Sequence, residues 1–521
     1  MPRNRTSFSR PAIPLSYLKT HTQSASILRP ALRDYRGQVA HRVRYKMVNL
    51  KINKPNKFIP WNVKPIPLGL NEPNRLNRVV VGLIALLIVV LPPTVTWADV
   101  SDVLSRFQLY ATVDETYDTN VDLTPVNKRD DFITDVGVGI RFSTLPRAET
   151  TRAFRQPSIS EETAYGVNLN FLPAYVFYAK GTSEDYLSLS GNLDAWYTWN
   201  QRLTFGVRDY LTRSEEPLEQ NYSSEALPGQ VLLGTQIGRA IYIRNVVSPS
   251  LAYRFGREDL ISINYMNNIY RNESPSFEDS TENCINPALA YWFNIRNGIS
   301  ISYALDLGDF ERSSDMTAHI ATGRYTYRFN PRTSLFGDFK FEARDFHPQT
   351  IGSINYEVYA PTIGFQHAFS PTLSLTAQFG YFWQTQEIGP DVSDPVYNVV
   401  LTQRAEKTTY TLGFQGGYTQ DYFTADNLGF AIYEQVIGSI THQFAERVSA
   451  TLSARYQRAD YQKGLEKGRV DNIWGVHVNS SYQILRWLSF TARVSYAEDR
   501  SNRDINDYND FQAMVGIRAA Y

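Results

Sequence analysis

A neutral chain of 521 residues, 13% aromatic, with 34 Tyr and a single Cys, excludes several classes at once. One cysteine closes no internal disulfide, so Cys284 reads as a packed thiol. Mean hydropathy is below zero and no stretch of about 20 apolar residues lies beyond residue 98, which argues against a helical membrane protein. Zero net charge conceals a split: residues 1–78 hold sixteen Lys or Arg against two acids, a surplus of +14, residues 79–98 hold no charge, and 99–521 therefore carries −14.

In chain order, residues 1–74 are basic and rich in Pro and Asn, lack periodicity, and read as a disordered leader in which Met47 offers an alternative start. Arg75 and Arg78 then precede the thirteen apolar residues Val79–Leu91, followed by Pro92, Pro93 and Thr96-Trp97-Ala98. That is a signal-peptide pattern over 75–98 with cleavage between Ala98 and Asp99. Thirteen helical residues span roughly 20 Å, short of a bilayer core about 30 Å thick, which disfavours an anchor.

From residue 99 the dominant signal is a period of two. Phe132, Thr134, Val136, Val138, Ile140 and Phe142 share one face; Ile133, Asp135, Gly137, Gly139 and Arg141 share the other. The alternation recurs at 299–306, 373–381, 448–456 and 488–496, and in the last segment, where Phe511, Ala513, Val515, Ile517, Ala519 and Tyr521 oppose Gln512, Met514, Gly516 and Arg518. A longer period overlies it. Connectors of one form occur at Trp199–Leu203, Phe293–Arg296, Phe329–Thr333, Phe369–Leu373, Phe444–Val448 and Ile484–Leu488, with a weaker copy at Arg404–Lys407. From Phe293 their spacing of about 36 to 40 residues is that of a hairpin with one tight turn and one longer loop. No helices are available to cover the apolar faces, so lipid is their partner. The expected fold is all-β: an antiparallel up-and-down transmembrane barrel of 16–20 strands over 99–521, with tight turns in the periplasm and longer acidic loops outside. Those loops are placed at Asp122–Asp131, Ser214–Gly238, Glu273–Glu282, Gly389–Asp394, Thr424–Leu428 and Asp499–Asp507. One connector on the turn side, Thr144–Thr163, is long enough to plug the lumen.

A barrel of sixteen or more strands generally encloses water unless it is filled, so the leading functional reading is a channel. Inward charges are expected at Arg208, Arg324, Arg328, Asp338, Lys340, Glu342, Arg344, Arg455, Arg493 and Arg518. Paired, they hydrate the lumen; unpaired arginines would favour anionic solutes. Aromatics such as Tyr325, Tyr327, Phe329, Tyr381, Trp383, Trp474, Tyr482 and Trp487 suit interfacial girdles, whereas Phe336 and Phe382 fall on the inward register and are the candidates for stacking sugars. His319, His347, His367, His442 and His477 stand singly, so no metal or other cofactor is expected. No nucleophile elbow and no phosphate loop occurs, and the expectation is a protein that is not an enzyme.

The stretches Glu115–Asn120, Asp131–Thr134, Tyr482–Phe490, Tyr496–Asn502 and Tyr508–Asp510 resemble a family of outer-membrane β-barrel porins whose genes often accompany exosortase (PEP-CTERM) and exopolysaccharide systems. The resemblance covers roughly residues 104–521. It implies an outer-membrane location in a Gram-negative bacterium and a role in diffusion or export, with anionic exopolysaccharide as a candidate solute. It implies no catalytic residues. Phe511 and the terminal Tyr521 resemble the aromatic signature read by the outer-membrane assembly machinery. Expected partners are that machinery, outer-membrane lipid and lipopolysaccharide, and polysaccharide, with no nucleic acid. Two alternatives stay open: a structural barrel with a filled lumen, and a barrel enzyme.

Overall fold

The structure is a computed structural model that describes residues 106–144, 164–181, 184–215, 240–349, 354–423, 429–463 and 466–521. The leader, the signal segment with Ala98 and Asp99, most of the connector expected at Thr144–Thr163, and the loop segments 216–239 and 424–428 lie outside the described residues.

Twenty strands follow one another: β1 (Phe107–Asp118), β2 (Asp131–Ser143), β3 (Tyr165–Tyr178), β4 (Tyr186–Trp199), β5 (Leu203–Ser214), β6 (Tyr242–Arg254), β7 (Leu260–Asn272), β8 (Ser280–Trp292), β9 (Asn297–Phe310) and β10 (Asp315–Asn330) form the first half. The second half is β11 (Thr333–His347), β12 (Tyr356–Ala368), β13 (Leu373–Gln386), β14 (Val392–Arg404), β15 (Thr408–Asp421), β16 (Gly429–Ala445), β17 (Val448–Tyr461), β18 (Val470–Leu485), β19 (Leu488–Ser501) and β20 (Tyr508–Ala520). Each pairs antiparallel with its sequence neighbours, and β1 pairs with β20 from Tyr110↔Ala520 to Asp118↔Gln512, so the sheet closes on itself. Among the described residues no helix is long and apolar enough to cross a membrane.

The outward rows are those the period of two marks. Val138 is 63% exposed, and Phe132, Val136, Val515 and Ile517 are exposed beside it, because none of the described residues covers them. Exposed aromatics flank the band at both ends: Trp199, Phe205, Phe293, Phe329, Phe369, Phe444 and Trp487 by the tight turns, and Phe132, Tyr175, Trp383, Trp474 and Phe511 toward the loops. The tight turns fall at the repeated connectors. At the first, Asn200 (φ 51°) and Gln201 (φ 57°) take the left-handed pair of a type I′ turn, closed by Arg202 N–H donating to the Trp199 carbonyl at 3.1 Å.

Strands of 12 to 17 residues exceed the roughly 9–11 needed to cross a bilayer, so they project beyond it. This corrects the sequence boundaries. Glu282, Asp394 and Asp499, read as loop residues, lie within β8, β14 and β19. Loop signals of Asp, Asn and Gly end a strand only where no neighbour is there to pair with; here the ladder carries on past them.

Two of the stretches that carry the family resemblance, Glu115–Asn120 and Tyr508–Asp510, supply the clasp of the closing seam. Thr119 N–H donates to the Phe511 carbonyl (3.1 Å), Phe511 N–H to Thr119 Oγ1 (2.8 Å), and Thr119 Oγ1 to Asp510 (3.1 Å). Asn120 Nδ2 donates to the Asn509 carbonyl (3.0 Å) and the Thr124 carbonyl (2.9 Å), while Gln512 donates to Asp118 (3.0 Å). Asp118, Asn120, Asp131 and Asp510 are all buried. Asp131 in turn accepts backbone N–H groups of Phe132, Lys180 and Gly181. Asn120→Ala leaves the Asn509 and Thr124 carbonyls without those donors, and we expect a loss of about 1–3 kcal/mol of unfolding stability. Urea titration in detergent, read by the heat-modifiable mobility of the barrel, checks it; an unshifted midpoint would show that the seam holds without this side chain.

Candidate functional site: the lumen

The inward rows change character along the barrel axis. Toward the tight turns most of them stay partly exposed, Tyr110 and Phe336 excepted; toward the loops they bury one another. Tyr178, Tyr186, Tyr242, Tyr270, Phe310, Met316, Phe346, Tyr356, Phe382, Phe430, Gln457, Tyr461 and Asp471 are buried, and every one of them stands on the loop side of its strand. Along β11 the side-chain exposure runs 15% at Asp338, 37% at Lys340, 1% at Glu342 and 9% at Arg344. The loop end of the lumen is therefore packed.

The packing has a named cause. After β15 the chain turns inward, and Tyr422 and Phe423 pack against strands of the same side of the barrel, three to six strands back. Phe423 stacks on Phe310 of β9 at 5.3 Å between centroids, and Tyr422 packs on Phe346 of β11 at 5.5 Å and bonds the Tyr356 hydroxyl of β12 at 2.8 Å. Phe382, Tyr418 and Phe430 extend this aromatic cluster. Sequence reasoning missed it, having placed the polar loop at Thr424–Leu428 and assigned nothing to the Tyr-Phe pair just before it, which was the available signal. Farther round the mouth, Lys463, just past β17, donates to Gln386 at the end of β13 and to the Pro390 carbonyl (3.2 Å), spanning three intervening strands.

The expected lumen charges divide into two groups. On β10 and β11 they neutralise one another. Arg324 bonds Asp338 through Nη2 at 2.8 Å, and Gln378 of β13 reaches the same carboxylate at 2.9 Å. Arg328 pairs with Glu258 (2.7 Å) and lies 3.5 Å over the Trp292 ring. Lys340 (2.9 Å) and Arg344 (2.7 Å) hold Glu342 between them. Phe336 and Phe382, the residues expected to stack sugars, offer no free ring face: Arg324 covers Phe336 at 4.4 Å, and Phe382 is fully buried against Tyr418 and Phe430. Both fall on the inward face, but their neighbours use up the surface that the proposal needed.

The remaining expected charges lie around β17–β20 and β1–β8. Arg518 lies 3.7 Å over the Tyr110 ring, Arg493 stands in register opposite Asn479 and Met514, and Arg455 opposite Ile437 and Gly475. Arg208 faces Asp194 on β4 and Ser248 on β6 in register, and neither Arg208 nor Arg141 makes an ion pair among the described residues. One cross-strand rung runs Arg141↔Asn170↔Asn192↔Tyr210. A cavity of about 620 Å³ lies along it, with Asn168, Asp194, Asn264 and Asn286 among its lining residues. A second, of about 520 Å³, lies over the neutralised wall at Ser300, Thr322, Arg324, Asp338 and Thr362. No group of three or more His, Cys, Asp or Glu able to hold a metal occurs among the described residues.

Burial pushes the Lys463 amine down to about 8, helped by Lys467 and opposed by Asp391. A depressed lysine means that the cost of holding the cation there is present below about pH 8 and fades as pH rises toward the free value of about 10.5. Amine acylation of Lys463, followed by mass spectrometry across pH, should therefore reach half its maximal rate near pH 8; a midpoint near 10.5 would remove the cross-mouth burial.

Comparison with known proteins adds a family and distant folds. No curated protein matches the chain. Among solved structures, the outer-membrane protein opdK from Pseudomonas aeruginosa is 11% identical over 80% of this chain and 100% of its own, with a TM-score of 0.39. A BenF-like porin from Pseudomonas fluorescens Pf-5 is 11% identical over 80% and 99% (TM-score 0.40), and the siderophore receptor PiuA from Acinetobacter baumannii 8% over 80% and 82% (TM-score 0.43). Residues 311–521, which contain β10–β20, match the model of the family described as "Putative beta-barrel porin 2", and the closed ring of strands with its apolar outer surface is the fold of a transmembrane β-barrel.

Proposed function

We propose that this barrel is a channel through which hydrophilic solutes cross the outer membrane of a Gram-negative bacterium, with a preference for anions. The observation that supports it best is the asymmetry of the lumen. Both walls are packed by aromatics at the loop end, but the β9–β16 wall is neutralised by ion pairs below them, whereas the β2–β8 wall keeps Arg141 and Arg208 without ion pairs beside a rung of carboxamides and a tyrosine. Unpaired guanidinium groups attract anions, and carboxamides exchange hydrogen bonds with hydroxylated solutes as readily as with water. A hydroxylated polyanion, such as an acidic polysaccharide segment, suits both features.

Solutes would pass along the β2–β8 side and around Tyr422 and Phe423, which narrow the loop end. In the same reading, outer-membrane lipid and lipopolysaccharide surround the apolar band, and the assembly machinery reads the C-terminal strand. Tyr521 is fully exposed, with its N–H bound to the Leu109 carbonyl at 2.8 Å, and Phe511 is an exposed outward residue. A second reading, a structural barrel that conducts nothing, is favoured by the packing of the loop end alone.

Planar bilayer recordings in a KCl gradient separate the two. We expect a reversal potential that marks anion preference, and Arg208→Glu should shift it toward cations at similar conductance. Cation preference in the wild type sinks the anion path, and a silent bilayer leaves the structural reading in its place. Replacing Tyr422 and Phe423 together with Gly should raise single-channel conductance severalfold, since the contacts to Phe310, Phe346 and Tyr356 go with them; unchanged conductance would place the constriction elsewhere.

A further inference from the structure

Outward polar side chains on this barrel mostly stand beside aromatic rings toward the strand ends, where headgroups and water are in reach. Glu115 lies next to Tyr117, His319 bonds the Tyr303 hydroxyl at 2.7 Å, and Glu357 accepts from Tyr359. The face of β5–β8 departs from this. Asp209 is the seventh of the twelve residues of β5 and shares its outward row with Leu203, Phe205, Val207 and Leu211. Across the sheet, one rung runs Asp209↔Val247↔Asn267↔Asn283, with Asn245 diagonal to Asp209. Asn245 donates to Asp209 at 2.7 Å, and Asn283 Oδ1 accepts from both Tyr265 (2.7 Å) and Asn267 (3.0 Å).

We propose that this face of β5–β8 docks against the same face of a second copy of the chain. Three observations lead there. An acidic side chain facing the hydrocarbon costs about 2–3 kcal/mol, and a carboxylate with two oxygens is far from saturated by one amide. Asn283 spends its oxygen twice and keeps its Nδ2 unused, and Asn267 spends only one N–H, so the patch carries spare donors beside a spare acceptor. Around a two-fold axis such a patch complements itself, with the Asp209 of each copy facing the amides of the other. An acyl chain offers no donors, and a lipid phosphate would bring a second negative charge to Asp209. Finally, Pro249 and Pro287 lie together on this face, and ladder pairs are missing beside each, between Val247 and Ser250 against β7 and between Ile285 and Ala288 against β9, the register resuming unchanged. Proline removes a ladder donor, and hydrocarbon supplies no substitute for it.

The test uses the full chain in membranes. In a Cys284→Ala background, Asn267→Cys should form a disulfide-linked dimer under mild oxidant, whereas Leu412→Cys, on the outward face of β15, should not. Native mass spectrometry in detergent should find the wild type as a dimer, and the combined Asp209→Leu, Asn245→Leu, Asn267→Leu and Asn283→Leu variant as a monomer. Equal cross-linking at both cysteines, or a monomeric wild type with or without bound lipid, overturns the proposal. Should the fourfold variant fail to fold, the paired cysteine comparison still decides.

Discussion

Hydrocarbon accepts no hydrogen bond, and the rest of this structure follows from that. Every backbone N–H and C=O within the bilayer must find its partner in the protein, so a sheet that crosses must have no edge. The requirement falls hardest on one place. Nineteen of the strand pairs join neighbours in sequence, which a short connector brings together at little entropic cost; the last joins β1 to β20 across almost the whole length of the barrel. That is where side chains are added to the ladder. Thr119, Asn120, Asn509 and Asp510 bond across the seam, and burial of Asp118 and Asp510 means that water cannot substitute for the contacts. Motifs that look like turn punctuation in the sequence are the fastening of the cylinder.

Inside the barrel the solvent changes again. Inward side chains are polar by composition, but their fate differs by height and by wall. Near the turns they are wet, so an ion pair such as Arg328–Glu258 is screened and contributes little to stability. Near the loops the same kind of residue is dry. Two outcomes of one alternating pattern result: a hydrated vestibule and a packed cap, separated by no boundary that a period of two could mark.

This sets what could be read in advance. The strand rows, the tight turns and closure into a barrel were legible, because each depends on local periodicity and on the absence of helices to cover the greasy faces. Pairing of charges was not. Whether Arg324 bonds Asp338 while Arg208 only stands opposite Asp194 without an ion pair depends on the register between particular strands, and register is set by tertiary closure. The inward faces of Phe336 and Phe382 were readable and their availability was not, since Arg324 and the β15–β16 segment cover them from other strands. The signal for the cap lay in plain view at Tyr422-Phe423, two large aromatics directly before the loop placed at Thr424–Leu428. An apolar pair at the mouth of a barrel has nowhere to go but inward, because outside the band there is only water.

The charged residues at the cap then acquire a specific role. Glu342 is buried between Lys340 and Arg344, and a buried ion cluster seldom stabilises more than an apolar filling of equal volume would. Its value lies in geometry. Arg344 is held by Glu342 and also sits 5.2 Å from the Tyr422 ring, with Nη1 2.9 Å from the Met316 sulfur. A planar guanidinium fixed on one side by a carboxylate offers its other surface to one aromatic at one place. Leucines in these positions would fill the space and let the segment after β15 slide; the charges fix where Tyr422 and Phe423 land. The width left beside them, along the wall of Arg141 and Arg208, is thus determined from β11, on the far side of the cylinder.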